Sequence, residues 1–390
     1  IFMPRRARRP CTARPWRVPF PAMDQALQTL IDQVRAAHAR QAPLRIGGGG
    51  TKQGMGSLPL GELLDTRPYH GIVNHEPTEL VVTVRAGTPL TELEQVLAQQ
   101  RQYLPFEPPR FASGGTVGGM VAAGLAGPAR ASAGGVRDYV LGVRMINGLG
   151  QDLHFGGQVM KNVAGYDVSR LMAGSWGQLG VLTEVSLKVL PVPPAEATLR
   201  FECSQSDALG RLQAWCGQPL PLNASCWVHD AGADTLYLRL RGASAAVESA
   251  CRSLGGERMD ASAAAADWEA CRDQRLPWFA AGAPDTGLDL WRLSVPTAAP
   301  ALDLPADLMP PLIEWHGALR WVWAPAAHAN ALREAARAVG GHARRFRPSD
   351  AAAAAPEGGL PPALRALHER VRQSFDPAGI FNPGASVGMD

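Results

Sequence analysis

The chain has 390 residues, 46% hydrophobic and 19% charged, which is ample for two cored domains and excludes global disorder. Its net charge of +3 arises in the first 22 residues, with six arginines (Arg5, Arg6, Arg8, Arg9, Arg14, Arg17) and no acid; the remainder carries 32 basic against 35 acidic residues, so nothing else argues for nucleic acid. No apolar run reaches the ~18 residues of a spanning helix, and six cysteines at least ten residues apart, without CxxC, exclude iron–sulfur and zinc sites of the usual spacing.

Residues 1–22 read as a disordered arm or as the product of a mis-called start ahead of Met23, and they lack the apolar core of a signal peptide. With no secretion signal, the cysteines read as reduced thiols of a cytosolic protein. Residues 24–40 place Leu27, Leu30, Ile31 and Val34 at helical spacing, with Asp24 positioned as the cap. A short strand over 44–46 then enters a glycine cluster that runs to Gly56. Gly47, Gly48, Gly49 and Gly50 leave N–H groups open, and Thr51 and Lys52 add a hydroxyl and a cation beside them. The cluster is not a P-loop, because Gln53 rather than Ser or Thr follows Lys52. Nor does it open the long helix of a dinucleotide-binding βαβ unit.

Strands are expected over 72–74 and 80–86, and a capped helix over 88–99. Residues 104–109 must be extended, since their prolines deny donors and restrict the residues before them. They deliver the chain to residues 113–180, where 17 of 68 positions are glycine. Apolar strand-like runs (139–146 and 181–190) alternate with those glycines, which separates this stretch from a flexible linker. Positive-φ turns, or main chain pressed against an anionic ligand, account for it better. Two glycine clusters, one short and one long, suit a long diphosphate-bearing cofactor. The prolines at 191–194 form a hinge and mark the best domain boundary. Beyond it the pattern is strand 197–202, helix 207–216, strands 224–228 and 235–240, helix 245–254. That order suggests a ferredoxin-like layer, extended by strands 288–295 and 318–323 and a helix 330–339. The alanine runs at 261–266 and 351–355 read as loop or short-helix spacers, and eight tryptophans crowd this half as core or as a partner interface.

The order Arg45-Ile-Gly-Gly-Gly-Gly-Thr51, Pro77-Thr-Glu-Leu-Val-Val-Thr-Val-Arg-Ala-Gly-Thr88, Gly114-Gly-Thr-Val-Gly-Gly119 and Gly174-Ser-Trp-Gly-Gln-Leu-Gly180 resembles the FAD-binding domain of vanillyl-alcohol-oxidase-type (PCMH-type) flavoenzymes. Within that group, residues 71–74, 104–109 and 159–172 resemble the FAD-binding subunit of bacterial glycolate oxidase, and the resemblance runs from about residue 24 to the 376–384 segment. It implies an α+β chain. A two-part FAD-binding domain would span 23–193 and a smaller ferredoxin-like cap 194–374, with 375–390 returning to the first domain. It further implies non-covalent FAD held by Gly47, Gly48, Gly49, Gly50, Thr51 and Lys52, then by Gly114, Gly115, Thr116, Gly118, Gly119 and Gly124. Gly118, Gly119 and Thr116 would lie beside the flavin ring and pyrophosphate; tight strand–helix packing is the alternative use of those glycines. Gly177, Gly180, Val181 and Asn382 complete the set, with Gly180 and Val181 turning backbone to the adenine side. Lys161 and Tyr166 would meet ribose, phosphate or flavin edge, although Tyr166 equally suits a core.

Oxidising a 2-hydroxy acid needs a cation for the carboxylate, a base for the hydroxyl proton and a hydride acceptor. FAD-linked 2-hydroxy-acid dehydrogenases resemble one another in a Gly-His-x-Gly-Asp-Gly-Asn-x-His run and a later Glu-His-Gly, and neither occurs here. His342, Arg344 and Arg345 could form a vestigial or substrate-facing cluster, and a solvated helix end or a contact with an acidic partner is the plainer and preferred account. No Cys or His lies in 111–153, so no covalent flavin link is expected and no catalytic residue or metal ligand is assigned. The resemblance therefore implies a cytoplasmic subunit working with a larger flavin subunit and an iron–sulfur subunit, reaching a membrane only through them. A self-sufficient FAD-dependent 2-hydroxy-acid oxidoreductase and a redox-silent scaffold are the alternatives.

Overall fold

The computed structural model describes residues 20–53, 55, 59–157, 167–280, 282, 286–349 and 362–384. Most of the arginine-rich arm, Lys161, Tyr166 and the alanine run at 351–355 lie outside the described residues. Helix α1 (Phe20–Arg40) begins four residues before Asp24, so Asp24 sits inside the helix and does not cap it. Its apolar stripe is as the spacing predicts: Leu27, Leu30, Ile31 and Val34 are buried with Leu44, Leu64, Tyr69 and Phe381.

Strand β1 (Leu44–Gly47) pairs in parallel with β2 (Glu62–Asp65). The far end of the chain joins β1 on its other side: Phe381 bridges Leu44 in parallel, and Leu44 N donates to Ile380 O at 2.7 Å. Strands β3 (Ile72–Glu76), β4 (Val81–Arg85), β6 (Val140–Ile146), β7 (Asp152–Gly156) and β8 (Val181–Lys188) build an antiparallel sheet of order β3-β4-β8-β6-β7. A two-residue pair, β5 (Gln102–Tyr103) with β9 (Leu190–Pro191), ties the exit of β8 back to the loop after α2 (Leu90–Gln99). Helix α2 and α3 (Val117–Ala123) cover the sheet, with Leu93, Leu97, Met120 and Val121 packed on Val82, Val84, Val143 and Val185. Thr88 does not open α2, because Pro89 occupies the cap position. Instead Thr88 Oγ1 donates to Arg85 O at 2.7 Å and accepts from Gly71 N at 2.8 Å, closing the β4 turn. The 104–109 stretch is not extended throughout as expected: Pro105 and Phe106 make a turn in which Glu107 N donates to Leu104 O at 3.1 Å, and Glu107 takes φ 47°. The short helices α4 (Arg130–Ala133) and α5 (Val168–Leu171) complete this half.

The second half begins with β10 (Ala195–Glu202), α6 (Gln205–Cys216), β11 (Leu222–Asp230), β12 (Ala233–Gly242), α7 (Ser244–Leu254) and β13 (Glu257–Arg258). Their order in the sheet, β13-β10-β12-β11, is the ferredoxin-like one expected from the element pattern. The structure then doubles it. After α8 (Ala261–Arg272) and α9 (Pro277–Ala280), β14 (Asp289–Ser294), β15 (Leu312–Glu314), β16 (Leu319–Ala324), α10 (Ala329–Ala338) and β17 (His342–Arg347) repeat that order from the other edge. The two four-stranded parts join where β11 pairs with β15, Cys226 opposite Glu314 and Trp227 opposite Ile313. The alanine run at 261–266 is no spacer: it opens α8, capped by Asp260 Oδ1, which accepts from Ser262 N and Ala263 N. Helix α11 (Pro362–Phe375) leads back to β1. Seven tryptophans here (Trp227, Trp268, Trp278, Trp291, Trp315, Trp321, Trp323) are buried core residues and form no exposed partner surface.

Candidate functional site

Three backbone segments converge where β1 ends. Past Ile46 the chain runs without side chains through Gly47–Gly50 and meets the turn that enters α3. A Cβ on Gly49 would lie 1.6 Å from Gly114 O, and one on Gly48 would lie 2.4 Å from Thr116 Oγ1, so the two glycine clusters touch main chain to main chain. Thr116 caps α3 by accepting from Gly119 N at 3.2 Å. The third wall is the turn 174–180 ahead of β8, where Gly180 has φ 152° and a Cβ would strike Met145 and Ile146 O.

Asn382 staples these walls together from the far end of the sequence. Its Oδ1 accepts from Ile46 N at 2.8 Å, its Nδ2 donates to Trp176 O at 2.8 Å, and its own N–H donates to Leu44 O at 2.9 Å. Between the walls is a cleft of about 1130 Å³, part of it open to solvent. Gly47, Gly48, Gly49, Gly50, Thr51, Lys52, Thr116, Gly118, Gly119, Gly177, Gly180 and Asn382 all line it. The remaining expected residues are placed otherwise. Gly114 and Gly115 form the turn beneath the first cluster, with Gly115 O accepting from Leu90 N. Gly124 is the left-handed residue that ends α3. The Val181 side chain is fully buried with Ile146 and Phe381. Lys161 and Tyr166 lie outside the described residues. Ser175, Trp176 and Met55 also line the cleft; a pattern search for glycines passes over them, and only their place inside the glycine turns marks them.

Among the described residues, no protein acceptor takes the backbone N–H of Gly48, Gly49, Gly50, Thr51 or Lys52. Main-chain donors are rarely left unmatched away from water, so a run of five facing a cleft suits a ligand rich in acceptor oxygens. Among the described residues the wall carries one ammonium, that of Lys52, whose Nζ donates to Thr51 Oγ1 at 3.2 Å. Burial pushes the Lys52 ammonium down to about 8, against the raising influence of Asp273. No three His, Cys, Asp or Glu side chains among the described residues converge in a way that could hold a metal ion. His342, Arg344 and Arg345 lie on β17, paired along β14, and not in this cleft.

Residues 25–156 match the FAD binding domain family. The fold agrees: 91% of the chain superposes on 75% of an alkyldihydroxyacetonephosphate synthase with TM-score 0.63, at 14% identity. Glycines that fold two loops into a donor-lined cleft, on this fold, define a flavoprotein of the FAD-binding oxidase class, and FAD is its cofactor. The chain is 46% identical to glycolate oxidase subunit GlcE of Escherichia coli (strain K12) over 92% of its own length and 96% of that protein. It belongs to the GlcE family. The chain is also similar to glycolate oxidase subunit GlcD of Bacillus subtilis (strain 168), at 30% identity over 43% of this chain and 36% of that one.

Proposed function

We propose that this chain is the FAD-binding subunit of a multi-subunit glycolate oxidase, which oxidises glycolate to glyoxylate and passes the electrons on through a larger flavin subunit and an iron–sulfur subunit. The observation that carries it is the row of unengaged N–H groups from Gly48 to Lys52, in a chain 46% identical to a GlcE protein. Bound FAD supplies the acceptor for the hydride of the 2-hydroxy acid. The chain's own residues hold and shape. The N–H groups of residues 48–52 donate to the diphosphate, and the Lys52 ammonium offsets its charge. Gly118, Gly119, Gly177 and Gly180 keep the walls free of side chains, Thr116 fixes the turn into α3, and Asn382 holds the loops in register. Gly114, Gly115, Gly124 and Val181 support those walls from behind, and Lys161 and Tyr166 complete the proposed contact set. No covalent link to the flavin is part of this reading.

The proposed organisation is a FAD domain ending at the 191–194 prolines, a cap over 194–374, and a terminal segment that returns to seal the FAD domain. Pairing of Phe381 with Leu44 supports that return. Among the described residues no helix is long and apolar enough to cross a membrane. A cytoplasmic site, with any contact to the inner membrane face made through partners, is the proposed location.

The absorption spectrum of the purified chain alone, followed by anaerobic addition of glycolate, tests this. The reading predicts a flavin band that glycolate does not bleach until the partner subunits are added. Bleaching of the isolated chain overturns the dependence on partners, and absence of a flavin band after addition of FAD overturns the cofactor reading.

A further inference from the structure

Among the described residues that line the large cleft, Trp176 carries the only aromatic ring. It takes φ 51° inside a turn whose glycines Gly174, Gly177 and Gly180 take 87°, 72° and 152°. Glycine suits that region; a bulky residue there is an outlier, and such outliers cluster at ligand clamps. The main chain under the ring is held from both sides. Trp176 N donates to Ala122 O at 2.9 Å, and Trp176 O accepts from Asn382 Nδ2 at 2.8 Å.

Trp176 is half-buried and packs against the apolar cluster in which Met55 and Ala123 of the first half meet Trp321 and Phe346 of the second. Met55, Ala122 and Ala123 line the cleft as well. This part of the wall is therefore apolar and adjoins the second half, whereas the stretch from Gly48 to Lys52 presents N–H groups. Trp227, Trp268, Trp278, Trp315, Trp321 and Trp323 each donate Nε1–H to a protein oxygen. Among the described residues no acceptor takes that of Trp176. A broad π face with an unspent donor suits a planar heteroaromatic ring. FAD carries two such rings, isoalloxazine and adenine, on either side of its diphosphate. The isoalloxazine is the ring that must meet the acid, and reacting groups are held preferentially where domains adjoin.

We infer that the Trp176 indole lies against the isoalloxazine ring of bound FAD and positions it beside the second half. The inference rests on the cleft being the FAD site. It adds a side-chain contact with the flavin to the backbone recognition of the diphosphate.

Flavin fluorescence of the purified full-length chain tests it, with bound FAD measured separately by absorbance. An excited flavin takes an electron from an indole that it touches, and a phenyl ring does not supply one. FAD bound to the wild type should therefore emit weakly. Trp176→Phe keeps a ring to stack, so its FAD affinity should stay within about 2-fold of wild type, while emission per bound flavin rises several-fold. Trp176→Leu loses the plane as well and should bind FAD roughly 2–10-fold more weakly. FMN, which lacks the adenine, should show the same loss in Trp176→Leu, and ADP, which lacks the flavin, should show none. If ADP weakens and FMN does not, the ring is adenine and the inference is wrong. Unchanged emission per bound flavin in a folded Trp176→Phe chain also overturns it, and that variant decides alone if Trp176→Leu does not fold. FAD bound with equal affinity and equal emission in all three chains brings down this inference only, whereas a wild-type chain that takes up no flavin brings down the cofactor reading with it.

Discussion

Around the five-stranded sheet the working surface is main chain, while around the eight-stranded sheet it is indole and guanidinium. In the first half, glycine loops meet so closely that a carbon added at Gly49 would fall 1.6 Å from Gly114 O, and Gly48 to Lys52 line the cleft with unengaged backbone N–H groups. In the second half the tryptophans interlock and anchor their N–H groups. Trp227 donates to Cys203 O, Trp268 to Thr198 Oγ1, Trp278 to Pro310 O, Trp321 to Glu314 Oε2 and Trp323 to Trp278 O. Backbone recognition tolerates no added side chain where a loop position is both wall and donor, as at Gly48 and Gly49. A side-chain core tolerates exchange better where volume is kept. The halves lock together through Arg239, whose guanidinium donates to Glu107 at 2.7 Å and stacks over Trp268 at 4.9 Å, and through Trp315 Nε1, which donates to Gly127 O at 3.0 Å.

The most damaging change is a single side chain placed in the glycine loop. Gly49→Val should abolish FAD retention, because the clash is with Gly114 main chain that cannot step aside; bound flavin per chain after purification is the measure. Glu107→Ala tests the lock between the halves. It leaves Arg239, whose side chain is 3% exposed, without its carboxylate, and should cost about 3–5 kcal/mol in denaturant unfolding. A loss below 1 kcal/mol would mean that the halves are held by apolar contact alone. Asn382→Ala removes two side-chain hydrogen bonds from the cleft walls and should cost about 1–3 kcal/mol. Unlike Glu107→Ala, it should also weaken FAD binding measured by fluorescence titration.

The mildest effects are pH slopes confined to the second half. Burial raises the Glu314 carboxyl from 4.5 to about 7, although Trp321 Nε1 and Cys271 Sγ donate to it. The folded state therefore holds that proton more tightly than the unfolded chain. Its contribution is fully present below pH ~4.5 and is lost as pH rises through about 7. His316 runs the other way: burial lowers it from 6.5 to about 4, so its contribution is present above pH ~6.5 and lost as pH falls toward 4. The two slopes oppose each other between about pH 4.5 and 6.5, so Glu314→Gln, which keeps an acceptor for Trp321, should make the thermal midpoint climb more steeply with pH than in the wild type and leave FAD content unchanged. An unchanged pH profile in that variant would remove Glu314 from this balance.

Much of this was legible without coordinates, for reasons that differ by region. The strands β4, β6 and β8 and the stripe on α1 are written in local periodicity, and the glycine loops in composition. Two such clusters suit a long diphosphate-bearing cofactor, and it is the fold that brings them together at one cleft. The element order after residue 194 also announced the ferredoxin-like part, although its doubling depends on β11 meeting β15 across more than eighty residues of chain, which no local pattern encodes. Asp24 and Thr88 misled because a residue that suits a helix cap suits an interior turn or a β-turn brace equally well. The alanines at 261–266 became helix because Asp260 caps them and Trp268 and Cys271 give the helix a face to bury.

By itself, then, the sequence determined where backbone would be bare, which segments would be strand or helix, and, through its resemblance to a flavoprotein family, which cofactor suited the bare backbone. These are local properties: glycine content, period and proline position act within a few residues. Only the tertiary structure decided which side chains finish the site. Asn382 reaches Ile46 from 336 residues away, and Trp176 joins the cleft wall to the cluster that holds Trp321 and Phe346 of the opposite half. Such pairings are set by the packing of whole sheets, whose long-range contacts are fixed by buried area and register and leave no trace in neighbouring residues.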